Sequence, residues 1–176
     1  MAQQQRQRRR RTRRREKPEF ETRLLDLARV TRVVKGGRRF SFRATVVIGD
    51  RKGRVGVGVA KGLDVSSAMQ KAANDAKKNM ITVPLTRGTI AHDIFVKDGS
   101  AKVLMKPSAP GRGVIAGGAV RTVIDMAGIR DIVTKSLGTS NKLNVARAAI
   151  VALSQLSTAT PVRPRAAKAV KRKKTH

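Results

Sequence analysis

Two short stretches carry residue types that could do chemistry. Gly111-Arg112-Gly113-Val114-Ile115-Ala116 fits the G-x-G-x-x-G/A spacing of a dinucleotide loop. It follows a run that reads as a strand and precedes one that reads as a helix. Asp131 falls about twenty residues on, where a ribose acceptor would stand. Three features argue against a nucleotide. Asp131 sits near the beginning of its predicted strand, not at the C-terminal end. Pro107 and Pro110 interrupt the tight strand-to-loop turn, and the remaining parallel strands are missing. Gly113 to Gly118 has the Walker spacing, but Ala119-Val120 replaces the Lys-Ser/Thr pair. The segment therefore reads as pliable backbone that a partner can approach closely.

The second stretch is His92-Asp93. A catalytic dyad needs a nucleophile and an orienting third group. Zinc needs three or four ligands, and the other histidine is His176, in a tail. Cys is absent, which removes thiolate metal sites, disulfides and cysteine nucleophiles. No carboxylate pair is placed for acid–base work. The expectation is no catalytic residue, no metal and no cofactor.

What remains is charge. The chain has 176 residues, with 40 Lys plus Arg against 11 Asp plus Glu, a net charge of +29. Residues 1–16 and 161–176 each contribute +7, which leaves +15 on the segment that should fold. Self-repulsion of that size opposes compaction unless a polyanion neutralises it. Nucleic acid is the leading partner, because phosphates are dense and binding releases counterions. A membrane surface fits less well: no basic helix has bulky apolar residues opposite its charges. No apolar run approaches the roughly 18 residues of a membrane span, and the basic N-terminus lacks the apolar segment of a secretory signal. Four Phe and no Tyr or Trp leave little for base stacking, so contact with phosphates, 2′-hydroxyls and duplex shape is expected.

The densest basic set is Arg32, Lys35, Arg38, Arg39, Arg43, Arg51, Lys52, Arg54 and Lys61. Thr31 to Leu63 contains one acid, Asp50. A solvated surface would mix signs, so this set reads as an RNA contact, with Gly36 and Gly37 letting their loop fit a groove.

The elements that must hold these residues follow from periodicity. Residues 1–19 and 158–176 are basic, low-complexity arms, expected to stay disordered until they meet RNA. In the first half, 20–84, Phe20 to Ala28 suggests a short helical turn and Arg29 to Lys35 a strand. Phe40, Phe42, Ala44, Val46 and Ile48 alternate with Arg39, Ser41, Arg43 and Thr45, so one face should meet a core and the other solvent or RNA. Gly49-Asp50-Arg51-Lys52-Gly53 is a hairpin turn signal. Val55, Val57 and Val59 then alternate with Gly56, Gly58 and Ala60, a nearly bare face that invites a close neighbour. A helix follows from Asp64 to about Asn79, with Val65, Ala68, Met69, Ala72 and Ala76 as its stripe. In the second half, 85–157, strands are expected over Thr89–Val96, Ala101–Lys106 and Ile129–Leu137. Helices are expected over Gly117–Ala127 and Asn144–Leu156, the latter capped by Asn144. The fold class is α+β in two small domains: three strands with one helix, then a sheet on helices.

Three blocks also carry a family likeness. GGRRFSFRATVVIGDRKGRVGVGVAKG (Gly36–Gly62), PGRGVIAGGAVRTVIDMAGI (Pro110–Ile129) and TSNKLNVARAAIVAL (Thr139–Leu153) resemble, in order, segments of the ribosomal small-subunit protein five family, in its bacterial or organellar branch. The resemblance implies a first domain similar to a double-stranded-RNA-binding fold and a second α+β domain. It implies binding to small-subunit ribosomal RNA and contact with ribosomal small-subunit proteins four and eight. It also implies a position near the path of incoming messenger RNA, with a role in subunit assembly and decoding accuracy. The segment matching Arg32 to Arg39 would reach into RNA. The Gly-rich loop with Gly111, Arg112, Gly113, Gly117 and Gly118 would lie toward a neighbouring protein. The implied place is a cytoplasmic ribosome, or an organellar one, with no membrane partner. A DNA-packaging protein and a nucleotide-dependent enzyme built on Gly111 to Ala116 are the rival readings. The first explains the charge but not the strand–helix order.

Overall fold

A computed structural model of the chain describes residues 19–156. The arms expected to order on RNA lie outside the described residues, except for Glu19.

The first half is a four-stranded antiparallel sheet, ordered β1 (Glu21–Val34), β2 (Gly37–Gly49), β3 (Arg54–Gly62) and β4 (Met80–Thr82), with α1 (Val65–Lys78) across one face. The alternation in β2 is realised: Ala44, Val46 and Ile48 pack with Ala68, Ala72 and Ala76 of α1 into one small core. The bare face of β3 has its neighbour, because α1 lies almost on the strand backbone. A Cβ at Gly58 would strike the Ala72 carbonyl and the Ala76 backbone, and one at Gly62 would sit 2.6 Å from the Ala68 nitrogen. Helix and sheet interlock through glycine and alanine rather than through large side chains.

Two expectations for this half are corrected. Phe20 to Ala28 forms no helical turn: β1 runs unbroken from Glu21 and pairs along the whole of β2. A register shift between Leu24 and Asp26 leaves Leu25 unpaired, and Leu25 packs on the larger core. Local preference yields here to a ladder that pairs β1 with β2 along nearly its whole length. The polar face of β2 is also not wholly open. Thr45 and Val47 are buried, and Val47 and Val55 belong to the core of the second half. β4 adds a three-residue edge strand to the three expected ones.

The second half is a sheet ordered β5 (Ile94–Asp98), β6 (Ala101–Pro107), β8 (Ile132–Gly138) and β7 (Val114–Ile115), with β7 parallel to β8. Helices α2 (Gly118–Ala127) and α3 (Lys142–Ser154) cover one face. Val120, Val123, Ile124 and Ala127 point inward, and Gly128, at φ +84°, ends α2. The expected strand over Thr89–Val96 begins only at Ile94. Thr86 and Thr89 instead exchange backbone bonds of 3.0 Å around Arg87-Gly88, both at positive φ. That turn takes Thr89, and Ile90 to Asp93 enter no ladder before Ile94. The strand expected from Ile129 starts at Ile132. The cap of α3 is Asn141 rather than Asn144: the Leu143 N–H donates to the Asn141 Oδ1 at 3.1 Å, and the helix begins one turn early. Asn141→Ala is expected to cost about 1 kcal/mol of stability. Thermal melts check this, and an unchanged midpoint would refute the assignment.

The two halves share one core and a backbone seam. The Arg51 N–H donates to the Met126 carbonyl (3.0 Å) and the Gly53 N–H to the Ala127 carbonyl (2.9 Å), so the β2–β3 turn satisfies the last carbonyls of α2.

Candidate nucleic-acid interface

The predicted basic residues divide into three groups. The first is a projecting ribbon. β3 pairs with β2 only as far as Phe42, so β1 and β2 continue alone to the Lys35-Gly36 turn. Gly36 has φ +95°, which a side chain there would resist. Every residue from 31 to 40 is exposed. Arg32 stands directly opposite Arg39, and Arg38 opposite Val33. Like charges placed across a ladder repel each other. Among the described residues, no carboxylate pairs with Arg32, Lys35, Arg38 or Arg39. Such a ribbon, free of carboxylates and of a core of its own, suits a polyanion.

The second group continues one face of that ribbon. Arg43 lies opposite Lys61 of β3, and strand alternation places Arg32, Arg39, Arg43 and Lys61 on the side away from α1. The Arg43 Nε is enclosed and has no hydrogen-bond partner among the described residues. The guanidinium lies beside a second cation, a pair of like charges that a phosphate would neutralise. Arg38 lies on the other side with Phe40, whose ring sits 3.7 Å beneath the Arg29 guanidinium. Arg29 was not in the predicted set. Its role in bracing Phe40 depends on β1 pairing that spacing alone does not reveal.

The third group sits at the far end of the sheet, and there the charges are largely matched. Arg51 pairs with Glu21 at 2.7 Å. Arg54 reaches Asp50 at 2.7 Å and Glu19 at 3.0 Å, and stacks 4.9 Å from the Phe20 ring. Lys52 is exposed and has no ion pair among the described residues. The Asp50 side chain is 6% exposed and accepts from the backbone N–H groups of Lys52 (2.7 Å) and Arg54 (3.0 Å). Burial pushes its carboxyl up, but the bonds from the Arg54 side chain and these two N–H groups outweigh it, and the net shift is down. A carboxyl depressed on folding stabilises the fold above its unfolded value, near 3.8, and loses that contribution as pH falls through the folded value. Asp50→Asn is therefore expected to destabilise the chain at neutral pH, with the gap to the parent closing below about pH 4. Denaturant midpoints across that range check it, and a gap that persists in acid would overturn the assignment.

The Gly-rich loop is tied at Gly113, whose carbonyl accepts from the Ile132 N–H at 3.2 Å. Asp131, buried just before β8, accepts from the Gly113 N–H at 2.8 Å, so this carboxylate is used within the loop. Gly117 occupies the N-cap of α2, and Gly118 opens the helix. A Cβ at Gly111, Gly113, Gly117 or Gly118 would meet nothing within 4 Å, and Arg112 is exposed. Among the described residues, no packing fills the space beside this backbone. His92 bonds only to the Asp93 carbonyl (2.9 Å), and no cluster suited to a metal occurs among the described residues. Among the described residues, no helix is long and apolar enough to cross a membrane.

Comparison with known proteins agrees with this architecture. The family model described as "Ribosomal protein S5, N-terminal domain" matches residues 20–84, and "Ribosomal protein S5, C-terminal domain" matches 96–166. The chain is 55% identical over 144 residues to small ribosomal subunit protein uS5c of Cyanophora paradoxa, covering 81% of this chain and 85% of that protein. It is 52% identical over 140 residues to small ribosomal subunit protein uS5 of Campylobacter jejuni, covering 80% and 95%. Against uS5c of Guillardia theta it is 51% identical over 148 residues, covering 84% and 88%.

Proposed function

The chain belongs to the ribosomal protein S5 family, and on that premise we propose that it binds small-subunit ribosomal RNA through the β1–β2 ribbon. It is a structural constituent of the small ribosomal subunit and not an enzyme. The observation that carries the RNA reading is the Arg32–Arg39 pair, two cations held face to face with no carboxylate among the described residues to neutralise them. Phosphates on either side of the ribbon would relieve that repulsion. Lys35 and Arg38 extend the contact at the tip, Arg43 and Lys61 on the face away from α1. Lys52 adds a cation at the far end, while Arg51 and Arg54 act mainly by bracing the fold.

The finer parts of the reading rest on the family resemblance. The chain helps assemble the subunit, supports decoding accuracy near incoming messenger RNA, and neighbours ribosomal small-subunit proteins four and eight. The loop of Gly111, Arg112, Gly113, Gly117 and Gly118 faces a neighbouring protein, an assignment supported by its open backbone. The division at 84/85 separates two units that share a core, and the ribosome concerned is cytoplasmic or organellar.

Intact protein is expected to co-sediment with small subunits through a high-salt wash and to prefer an A-form RNA helix to B-form DNA at physiological salt. Equal affinity for the two duplexes would favour a packaging role and overturn the proposal.

A further inference from the structure

The ribbon has a second face, and its chemistry differs from the first. Arg32, Arg39 and Arg43 stand on the side away from α1, whereas alternation places Thr31, Val33, Arg38 and Phe40 on the side of α1. Phe42 packs on the small core. Phe40 lies beyond the last pair that β2 makes with β3 and belongs to neither core. Its ring is 45% exposed, and Val33, diagonal to it across the ladder, is 76% exposed. The Arg29 guanidinium carbon sits 3.7 Å from the ring centre, a stacking distance, and Arg29 is itself exposed. Among the described residues, no carboxylate pairs with Arg29 or Arg38. A solitary exposed apolar residue needs no explanation. A ring and a guanidinium stacked on each other, with no core beneath and no acid beside them, form a small planar platform.

The platform selects its occupant. Nucleobases stack on aromatic rings and on guanidinium planes alike, because every base has a π face. The ring is single, so it serves one base and not a run of them. Arg29 and Arg38, on the same face, attract the phosphates that flank such a base. A protein partner would need a wider apolar patch than one ring and one valine. A paired base inside an A-form helix has both faces covered by its neighbours in the stack, so the bound base must have left it, as in a bulge or a junction. We infer that Phe40, backed by Arg29, holds one unpaired RNA base on this face while Arg32 and Arg39 hold phosphates on the other. The inference rests on the RNA reading of the ribbon and specifies what its second face recognises. It also gives stacking a part that the low aromatic content did not promise.

The test uses the full chain and two blunt RNA duplexes of equal length, one fully paired and one with a single bulged purine. At a fixed salt concentration the parent is expected to bind the bulged duplex about tenfold more tightly. Phe40→Leu removes the ring from an exposed site, and is expected to bind both duplexes with the parent's affinity for the paired one. Arg29→Lys keeps the charge and loses the plane, so it should lose most of the preference while the salt slope stays unchanged. The chain contains no Trp, so Phe40→Trp supplies a lone indole whose emission should fall with the bulged duplex and not with the paired one. Equal affinity of the parent for the two duplexes, a preference that survives Phe40→Leu or Arg29→Lys, or an indole emission unmoved by the bulge would overturn the stacking inference and leave the phosphate contacts of the ribbon standing. A parent that binds neither duplex would overturn the RNA reading itself, and the inference with it.

Discussion

Arg32→Glu/Arg39→Glu is expected to bind an A-form RNA helix about 30-fold more weakly at ~0.15 M salt than the parent does. Each phosphate contact contributes about 0.9 to the slope of log affinity against log salt, so two lost contacts remove about two units of slope and roughly 1.5 log units of affinity at that concentration. The effect is placed at this pair because the register sets the two guanidinium-bearing residues directly opposite each other, with no carboxylate to share their charge among the described residues. Arg51→Gln is the control. Its partner Glu21 lies 2.7 Å away, so removing it should leave the slope close to the parent's. Filter binding across a salt series reads both. A double variant with an unchanged slope would remove the ribbon from the interface, and a larger loss at Arg51 would move the contact to the other end of the sheet.

The second large effect is on stability. Gly58→Ala is expected to cost about 3 kcal/mol, because the added carbon meets the backbone of α1 at Ala72 and Ala76 and neither can rotate away. For a chain of this size that lowers the melting temperature by roughly 6–12 °C. Gly118→Ala is the comparison, since a Cβ there meets nothing within 4 Å and alanine favours a helix. Calorimetry of the two variants should separate them widely. Equal melting temperatures would mean that α1 does not depend on the close approach to β3.

These two residues illustrate what was legible in the sequence. The alternation of valine and glycine in β3 announced both a strand and a near neighbour, because period and side-chain absence are local signals. The apolar stripes of α1 and α2 were equally plain. The first half of β1 was not, since its three leucines fit a helical turn as well as a strand and only the partner strand decides. β4 and β7, three and two residues long, carry too few positions for any period to show. The site was legible as a cluster of cations and not as a map of available ones. Glu19 and Glu21, some thirty residues from the arginines they meet, quench Arg54 and Arg51 while leaving Arg32 and Arg39 untouched. Such pairing exists only once the hairpins have closed. Asn144 looked like a cap for the same reason that Asn141 is one, and the choice depended on where the chain leaves β8.

The shared core has a consequence for biosynthesis. Val47 and Val55 emerge with the first half, but several of their core companions, through Leu153 of α3, are translated about seventy residues after Pro84. At ordinary elongation speeds the nascent chain waits roughly 4–14 s with that sheet face uncovered. During this interval a cationic, half-finished product trails from the machinery that made it, and a chaperone or a stretch of precursor RNA that shields it would raise the yield of usable protein.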